Sequence, residues 1–260
     1  TPLHDFALTE RYCIFCLPPL DIPPATGLKV FAGLVTCSRA FAYDPEAPAR
    51  VVLVPRDGSA PRWLEAPPAF QFHYAGAYEE GTDIVVDTCS QPSWSGTRED
   101  LENFRSSHWG TLSGTTLRRL RIDTSRGEVR AEQLTAHFTE FAQSDPRLQG
   151  RPYRHLYHVT NPEGCTGLHR AVARTDLSTR SVELWDFGPG SVATEPSFVP
   201  RPGGATDEGW LLTQVFSAQR RATDIAILDA QQVARGPVCT VHVPAHVGVP
   251  LHGSFEEEVS

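Results

Sequence analysis

The chain has 260 residues, which is long enough for one large domain or two smaller ones. Its formal net charge is −8. The acidic balance argues against a nucleic-acid-binding surface, because such a surface needs clustered cations. No apolar run reaches the roughly 18 positions that a membrane-spanning helix needs. The six cysteines are scattered through apolar stretches, which predicts reduced thiols in a cytoplasmic protein.

The N-terminal residues carry two further expectations. The sequence contains no methionine, not even at position 1, so we expect residues 1–260 to be a single domain that forms the C-terminal part of a longer protein. Cys13 and Cys16 have the spacing of half a zinc site, but no second pair with zinc-like spacing follows. Residues three apart in a strand face opposite ways, so we interpret these thiols as structural.

Most of the chain has the pattern of short strands separated by turns that are rich in Gly, Pro and Asp. An apolar strand, an aspartate turn and a returning strand recur, with the turn at Asp57, Asp123, Asp176 and Asp229, at intervals of 66, 53 and 53 residues. Such a period predicts the four-stranded blades of a β-propeller, with a β-sandwich as the alternative. The best helical signal covers residues 97–105, where Thr97 is a candidate N-cap.

His73 lies between Phe72 and Tyr74, ahead of a turn at residues 79–81 and a strand at residues 82–87. A charged imidazolium would be costly in so apolar a segment. A neutral imidazole there either hydrogen-bonds within the core or binds a metal ion. The local sequence leaves both interpretations open.

His4 and His252 occupy similar places, at the end of an apolar run with an acidic residue or a glycine beside them and aromatic residues nearby. The inner strands of successive propeller blades meet at the central axis, so histidines far apart in sequence can converge there on one ion. His155 and His158 are three apart in a strand-like run and are predicted to face opposite ways. We interpret the remaining histidines as structural or surface groups.

Several segments, in order along nearly the whole chain, together resemble the carotenoid cleavage oxygenase family, which includes apocarotenoid and lignostilbene dioxygenases and the retinal-pigment-epithelium isomerase. These segments include His4-Asp-Phe-Ala-Leu-Thr-Glu10, Phe72-His73, Ala77-Tyr78-Glu79, Glu140-Phe141, Gly150-Arg-Pro-Tyr153, residues 195–202, residues 209–212 and Leu251-His-Gly-Ser254. The resemblance implies an all-β, seven-bladed β-propeller of the carotenoid oxygenase type, of which this chain supplies the C-terminal blades.

The resemblance also implies an Fe(II) site made of four histidines, three of them braced by glutamates. His4, His73 and His252 match three of the ligand positions, and Glu140 and Glu195 match two of the bracing carboxylates. The first ligand and the first bracing glutamate of the family have no match, and we expect them upstream. Smaller departures are Ala142 where a proline is usual, Gly76 where asparagine is commoner and Phe255 where tryptophan is frequent; none removes a metal-binding atom.

By this resemblance the protein is expected to be a non-haem Fe(II) dioxygenase with O₂ as its co-substrate. Such enzymes cleave a conjugated C=C bond of a carotenoid, apocarotenoid or stilbene to two carbonyl products. Substrates of this kind are apolar, which also suggests peripheral contact with a membrane. The alternative is a non-catalytic or degenerate β-propeller that acts as a binding module.

Overall fold

A computed structural model describes residues 3–36, 39–91, 94, 114–245, 247–248 and 252–256. Strands dominate this part of the chain, as the sequence predicts. Their bounds are β1 (Ala7–Leu8), β2 (Tyr12–Leu17), β3 (Leu20–Asp21), β4 (Ala42–Tyr43), β5 (Ala49–Pro55), β6 (Arg62–Ala66), β7 (Phe70–Glu80), β8 (Asp83–Gln91), β9 (Thr116–Asp123), β10 (Glu128–Gln143), β11 (His155–Thr160), β12 (Ala171–Asp176), β13 (Ser181–Asp186), β14 (Ser191–Ala193), β15 (Ser197–Pro200), β16 (Gly209–Ser217), β17 (Ala222–Asp229) and β18 (Pro237–His242).

The larger sheets form four consecutive antiparallel blades. Blade 1 has the strand order β1-β2-β5-β6, and blade 4 has the order β14-β16-β17-β18, with β15 also paired to β16. Between them lies a seven-stranded sheet that runs from β7 to β13 in sequence order. A small β3-β4 ribbon extends from blade 1.

The seven-stranded sheet is two blades joined by the 16-residue strand β10. The first half of β10 pairs with β9, and its second half pairs with β11, with register shifts on both sides. We therefore define blade 2 as β7, β8, β9 and the first half of β10, and blade 3 as the second half of β10 with β11, β12 and β13. Strand β7 contacts both β1 and β10, and these strands lie at the inner edges of their blades.

The core consists of three apolar layers, one between each pair of neighbouring blades. Strands β8 and β11 of the two middle blades are buried along nearly their whole length, whereas β2 and β16 of the two end blades alternate between buried and partly exposed positions. Ile14 and Leu53 of blade 1 pack with Ile84 and Ile122 of blade 2, all at most 1% exposed. Leu117 and Leu156 belong to a second layer between blades 2 and 3. A third layer joins blades 3 and 4. Burial of these side chains contributes about 1.5–3 kcal/mol each, which holds the blades side by side.

The aspartate repeat predicted from the sequence corresponds to four equivalent hairpin turns. Asp57 and Asp123 each accept the backbone N–H two residues further on, at 2.9 Å in both turns. Asp176 and Asp229 do the same at 2.9 and 2.8 Å. An aspartate that bonds its own backbone in this way stabilises a tight turn between strands. The repeat therefore marks the β5–β6, β9–β10, β12–β13 and β17–β18 connections.

The helical elements differ from the prediction. The structure has an eight-residue helix, α1 (Pro24–Phe31), which follows β3 and begins with a proline in its first turn. Two 3₁₀ turns cover Pro146–Leu148 and Val233–Arg235. The helix predicted at residues 97–105 lies outside the described residues. No helix in the described ranges is long and apolar enough to cross a membrane.

The cysteines that the structure describes are free thiols, as expected. Cys13 and Cys16 both belong to β2, where Cys16 is buried and Cys13 is partly exposed. Cys89 is also buried, whereas Cys239 is exposed. Burial raises the pKa of the Cys16 thiol to about 11, which makes it a poor metal ligand and a poor nucleophile at neutral pH.

Candidate metal centre

Three imidazole rings from distant parts of the chain meet at the inner edges of the blades. His4 precedes β1, His73 lies on β7 and His252 lies in the segment of residues 252–256. One ring nitrogen from each histidine lies within 4.8 Å of the others. The ring centroids are 5.1 Å apart for His4 and His73, 5.7 Å for His4 and His252, and 5.1 Å for His73 and His252. The three predicted ligands are therefore neighbours in space.

His73 is held by a carboxylate on one side and has a buried nitrogen without a partner on the other. Its Nδ1 lies 2.5 Å from Oε1 of Glu140. Its Nε2 is buried and has no hydrogen-bond partner among the residues that the structure describes. A carboxylate on Nδ1 favours the tautomer that leaves the Nε2 lone pair free. A buried polar atom without a partner costs about 1–3 kcal/mol, so this nitrogen fits a bound metal ion.

Glu140 is itself fixed by its position on β10. The β10–β11 register shifts between Glu140 and Gln143, and Phe141 between them has a left-handed backbone with φ of 55°. A bulge of this kind redirects side chains locally. Here the carboxyl of Glu140 and the ring of Phe141 both contact His73, and the ring centroids of Phe141 and His73 are 4.7 Å apart. The Thr115 hydroxyl donates to Oε2 of Glu140 or to the Thr139 carbonyl.

His252 is held more loosely. Its Nδ1 lies 3.2 Å from Oε2 of Glu195, and the same oxygen accepts the backbone N–H of Gly253 at 3.1 Å. The His252 side chain is 46% exposed, against 15% for His73. Glu195 thus braces both the ring and the backbone of a segment that is not itself part of a strand.

His4 completes the cluster without a carboxylate partner among the described residues. Its ring packs edge-on against Phe72 with centroids 5.5 Å apart. Burial lowers the pKa of His4, and the nearby His73 and His252 lower it further. Its neutral form, which is the form that binds metals, is therefore favoured.

The two bracing segments are also joined to each other. The side-chain amide of Gln143 donates to the Pro196 carbonyl, and its oxygen accepts the Phe198 N–H at 3.3 Å. This pair of bonds connects the end of β10, which carries Glu140, to the segment that carries Glu195. The histidines, Glu195 and Gln143 line a cavity of about 420 Å³. The sequence interpretation missed Gln143 and Thr115, because no short motif marks either residue.

The other histidines that the structure describes lie outside this cluster. His242 is exposed and pairs with Asp224 at 2.9 Å. His155 pairs with Asp207 at 2.8 Å. His158 is fully buried, with hydrogen bonds on both ring nitrogens. Neither His155 nor His158 was among the predicted ligands, and their contacts are those of structural side chains.

The donor set suits a first-row transition metal. Three neutral nitrogen ligands would not offset the positive charge of a divalent ion. Imidazole ligands suit iron, cobalt, copper, nickel and zinc. Carboxylates on the outer nitrogens orient the rings and make them better donors. The residues present therefore fit the ion that the resemblance implies.

Fold and site together define a β-propeller protein in which histidines converge at the inner edges of the blades. Residues 1–257 match the family model described as "Retinal pigment epithelial membrane protein". The chain belongs to this family, which is the carotenoid oxygenase family predicted from the sequence.

Similar proteins include the apocarotenoid-15,15'-oxygenase of Synechocystis sp., which is 34% identical over 98% of this chain and 52% of its own length. The carotenoid 9,10(9',10')-cleavage dioxygenase of Crocus sativus is 29% identical over 98% of this chain and 48% of its own length. The isoeugenol monooxygenase of Pseudomonas putida is 28% identical over 98% of this chain and 55% of its own length. The chain spans about half the length of the curated relatives it matches.

Solved structures extend the likeness to the fold. The structure of cobalt-substituted Synechocystis ACO matches with a TM-score of 0.91 and 33% identity, over 98% of this chain and 53% of that one. That neighbour is a seven-bladed β-propeller, so the predicted fold class is confirmed. Over the described ranges of this chain the sheets do not close into a ring.

Proposed function

We propose that the protein containing this chain is a non-haem Fe(II)-dependent dioxygenase. It cleaves a conjugated C=C bond of a carotenoid, apocarotenoid or stilbene with O₂ and releases carbonyl products. The observation that carries the proposal is the cluster of three imidazoles in which the buried Nε2 of His73 lacks a partner. The names of the relatives, which include an apocarotenoid oxygenase and a carotenoid cleavage dioxygenase, support the same class of reaction.

In this proposal His4, His73 and His252 hold Fe(II), and Glu140 and Glu195 orient two of the rings. When bound, Fe(II) supplies the one-electron chemistry through which O₂ reacts. The protein contributes position and protonation state. Glu140 favours the tautomer of His73 that carries the proton on Nδ1. Desolvation and the neighbouring imidazoles lower the pKa of His4, which favours its neutral form.

A cluster of aromatic rings beside the histidines supports a flat, conjugated substrate. Phe72 packs against His4 and also against Phe70, with centroids 5.5 and 4.7 Å apart. Trp94 extends this cluster with a centroid distance of 4.4 Å to Phe70. Aromatic faces bind extended apolar molecules without requiring hydrogen bonds, which a polyene cannot make.

Helix α1 supports peripheral contact with a membrane, where substrates of this kind dissolve. None of its residues is buried, and Leu28 and Phe31 are 69% and 92% exposed. Leu34, just beyond the helix, is 76% exposed. An exposed apolar helix of this kind can lie in the interfacial region of a bilayer. The sequence interpretation identified no such element.

A non-catalytic binding module is the second candidate. The looseness of His252, with its exposed ring and its 3.2 Å contact to Glu195, is the observation that favours it. The two candidates differ in their metal content, because a binding module has no need for iron.

The deciding experiment is metal analysis of the full-length protein after anaerobic purification, with His252→Ala and His242→Ala as matched variants. Both histidines are exposed and both pair through Nδ1 with a carboxylate, but only His252 belongs to the cluster. We expect iron in the wild type and in His242→Ala and its loss in His252→Ala. O₂-dependent cleavage of an apocarotenoid or stilbene should be present in the variants that contain iron and absent from those that do not. A full-length protein without iron would favour the binding module.

A further inference from the structure

The segment that carries His4 is not paired with blade 1 next to the metal centre. Side chains from blade 2 make the hydrogen bonds that this pairing would otherwise supply. In the β1–β2 ladder Ala7 lies opposite Ile14 and Leu8 opposite Cys13. Continuation of this register would place residue 5 opposite Cys16, but β1 begins only at Ala7. The backbone of Cys16 therefore needs other partners.

Those partners come from β7, close to His73. The Tyr74 hydroxyl accepts the N–H of Cys16 at 3.0 Å, and the Gln71 side-chain amide donates to the Cys16 carbonyl, also at 3.0 Å. These two side chains replace the ladder bonds that the chain gives up ahead of β1. They also connect the strand that carries His73 to the middle of blade 1.

Asp5 provides the reciprocal connection. Its Oδ2 accepts the backbone N–H of Tyr74 at 3.0 Å, and its Oδ1 accepts the N–H of Phe6 at 2.7 Å. The β7–β8 register is irregular on either side of His73 and Tyr74. Asp5 thus binds the β7 backbone at Tyr74, where the regular β7–β8 hydrogen-bond ladder is interrupted.

We propose that Asp5 is a positioning residue for the metal centre: its carboxylate bridges the backbone beside His4 to the backbone beside His73. Each bridged N–H belongs to a residue within two positions of a proposed ligand. A carboxylate accepts two such bonds without moving, since each oxygen takes one. The distance between the two imidazoles is thereby set before a metal ion binds. This inference rests on the proposed metal-binding function.

The test compares Asp5→Ala with Asp57→Ala in the full-length protein. Asp57 also accepts a backbone N–H, that of Ser59, but it lies in the β5–β6 turn, outside the histidine cluster. The readouts are the affinity for Co(II) under anaerobic conditions, the visible spectrum of bound Co(II) and the exchange rate of the Tyr74 amide in metal-free protein. We expect Asp5→Ala to weaken Co(II) binding by roughly ten- to a hundredfold and to shift the spectrum.

The same variant should speed exchange of the Tyr74 amide, whereas Asp57→Ala should leave all three readouts at wild-type values. If Asp5→Ala does not fold, Asp5→Asn serves instead, because it replaces one of the two accepting oxygens with an NH₂ group that cannot accept an N–H. We expect an intermediate loss of affinity for it. Wild-type affinity and spectrum in either folded Asp5 variant would overturn the positioning role.

Failure of the inference is distinguishable from failure of the proposed function. A wild-type protein that binds neither iron nor Co(II) contradicts the metal centre, and with it the positioning role. A wild type that binds the metal while the Asp5 variants bind it equally well contradicts only the role of Asp5.

Discussion

His73 and His158 are two partly or fully buried histidines on strands of adjacent blades, yet their surroundings differ. His158, on β11 of blade 3, is 0% exposed. Its Nδ1 contacts the Val159 carbonyl at 3.2 Å and its Nε2 contacts the Thr175 hydroxyl at 2.8 Å. His73, on β7 of blade 2, has a carboxylate on Nδ1, and its buried Nε2 has no partner in the described part of the chain.

The difference separates a core histidine from a candidate ligand. Both nitrogens of His158 are satisfied by neutral groups, and burial lowers its pKa to about 4, so it remains uncharged at neutral pH. His73 combines a negatively charged brace with a free nitrogen that faces no other protein partner. This combination is expected of a metal ligand, because the bound ion replaces the missing hydrogen bond.

The largest expected effect follows from removing each ring in turn. In the full-length protein His73→Ala should abolish iron binding and activity, since it deletes a ligand atom from the cluster. His158→Ala should keep the iron but lower the free energy of unfolding by about 1–3 kcal/mol, because it leaves a polar group without its partner. Metal analysis and thermal unfolding of both variants provide the measurement. Normal iron occupancy in His73→Ala would contradict the assignment.

A smaller effect is expected from removing the braces. Glu140→Ala should weaken iron binding or turnover by roughly ten- to a hundredfold, because the ring of His73 loses its orientation and its tautomer preference. Glu195→Ala should have a weaker effect, since its contact to His252 is longer and more exposed. Iron titrations of both variants test this order. An equal loss of iron affinity in the two variants would contradict this order. It would show that His73 and His252 depend on their carboxylates to the same extent.

The last prediction concerns the contribution of the core histidine, His158, to a gradual pH dependence of stability. The unfolded chain protonates His158 near pH 6.5, whereas the folded chain resists protonation until about pH 4. Lowering the pH through this window therefore favours the unfolded state, by about 3 kcal/mol at most. Stability should be fully present above pH 6.5 and decline toward pH 4.

The matching variant is His158→Gln, which cannot take up a proton. Chemical denaturation between pH 7 and pH 4 should give a flatter profile for this variant than for the wild type. His4 and His169, whose pKa values burial also lowers, contribute to both profiles and cancel in the difference. An unchanged slope would mean that His158 is not held neutral in the folded protein.

Much of the fold could be predicted from local pattern. Runs of β-branched and apolar residues correspond to β5, β8 and β17, and two of the recurring aspartates mark the turns that follow β5 and β17. Helix α1 was missed, because residues 24–31 contain a glycine and a proline and lack a polar N-cap side chain. Its apolar residues are exposed, so its pattern does not match that of a helix packed on a core.

The candidate site was predictable only through the resemblance. His4, His73, His252, Glu140 and Glu195 were matched to family positions, and the structure brings the three histidines together with a carboxylate beside two of them. The roles of Thr115, Gln143 and Asp5 had no counterpart in the sequence interpretation. Each acts through a hydrogen bond to a residue 25 or more positions away, and no periodicity records such a contact.

The sequence by itself determined which segments form strands, where they turn and which side chains carry nitrogen atoms that can bind a metal ion. Local pattern did not distinguish His73 from His158, since each lies in an apolar strand next to a tyrosine. The family resemblance separated them, and the tertiary structure supplies the physical reason. The register of β10 against β11 and the bulge at Phe141 bring Glu140 to one imidazole, whereas Thr175 and a backbone carbonyl satisfy the other.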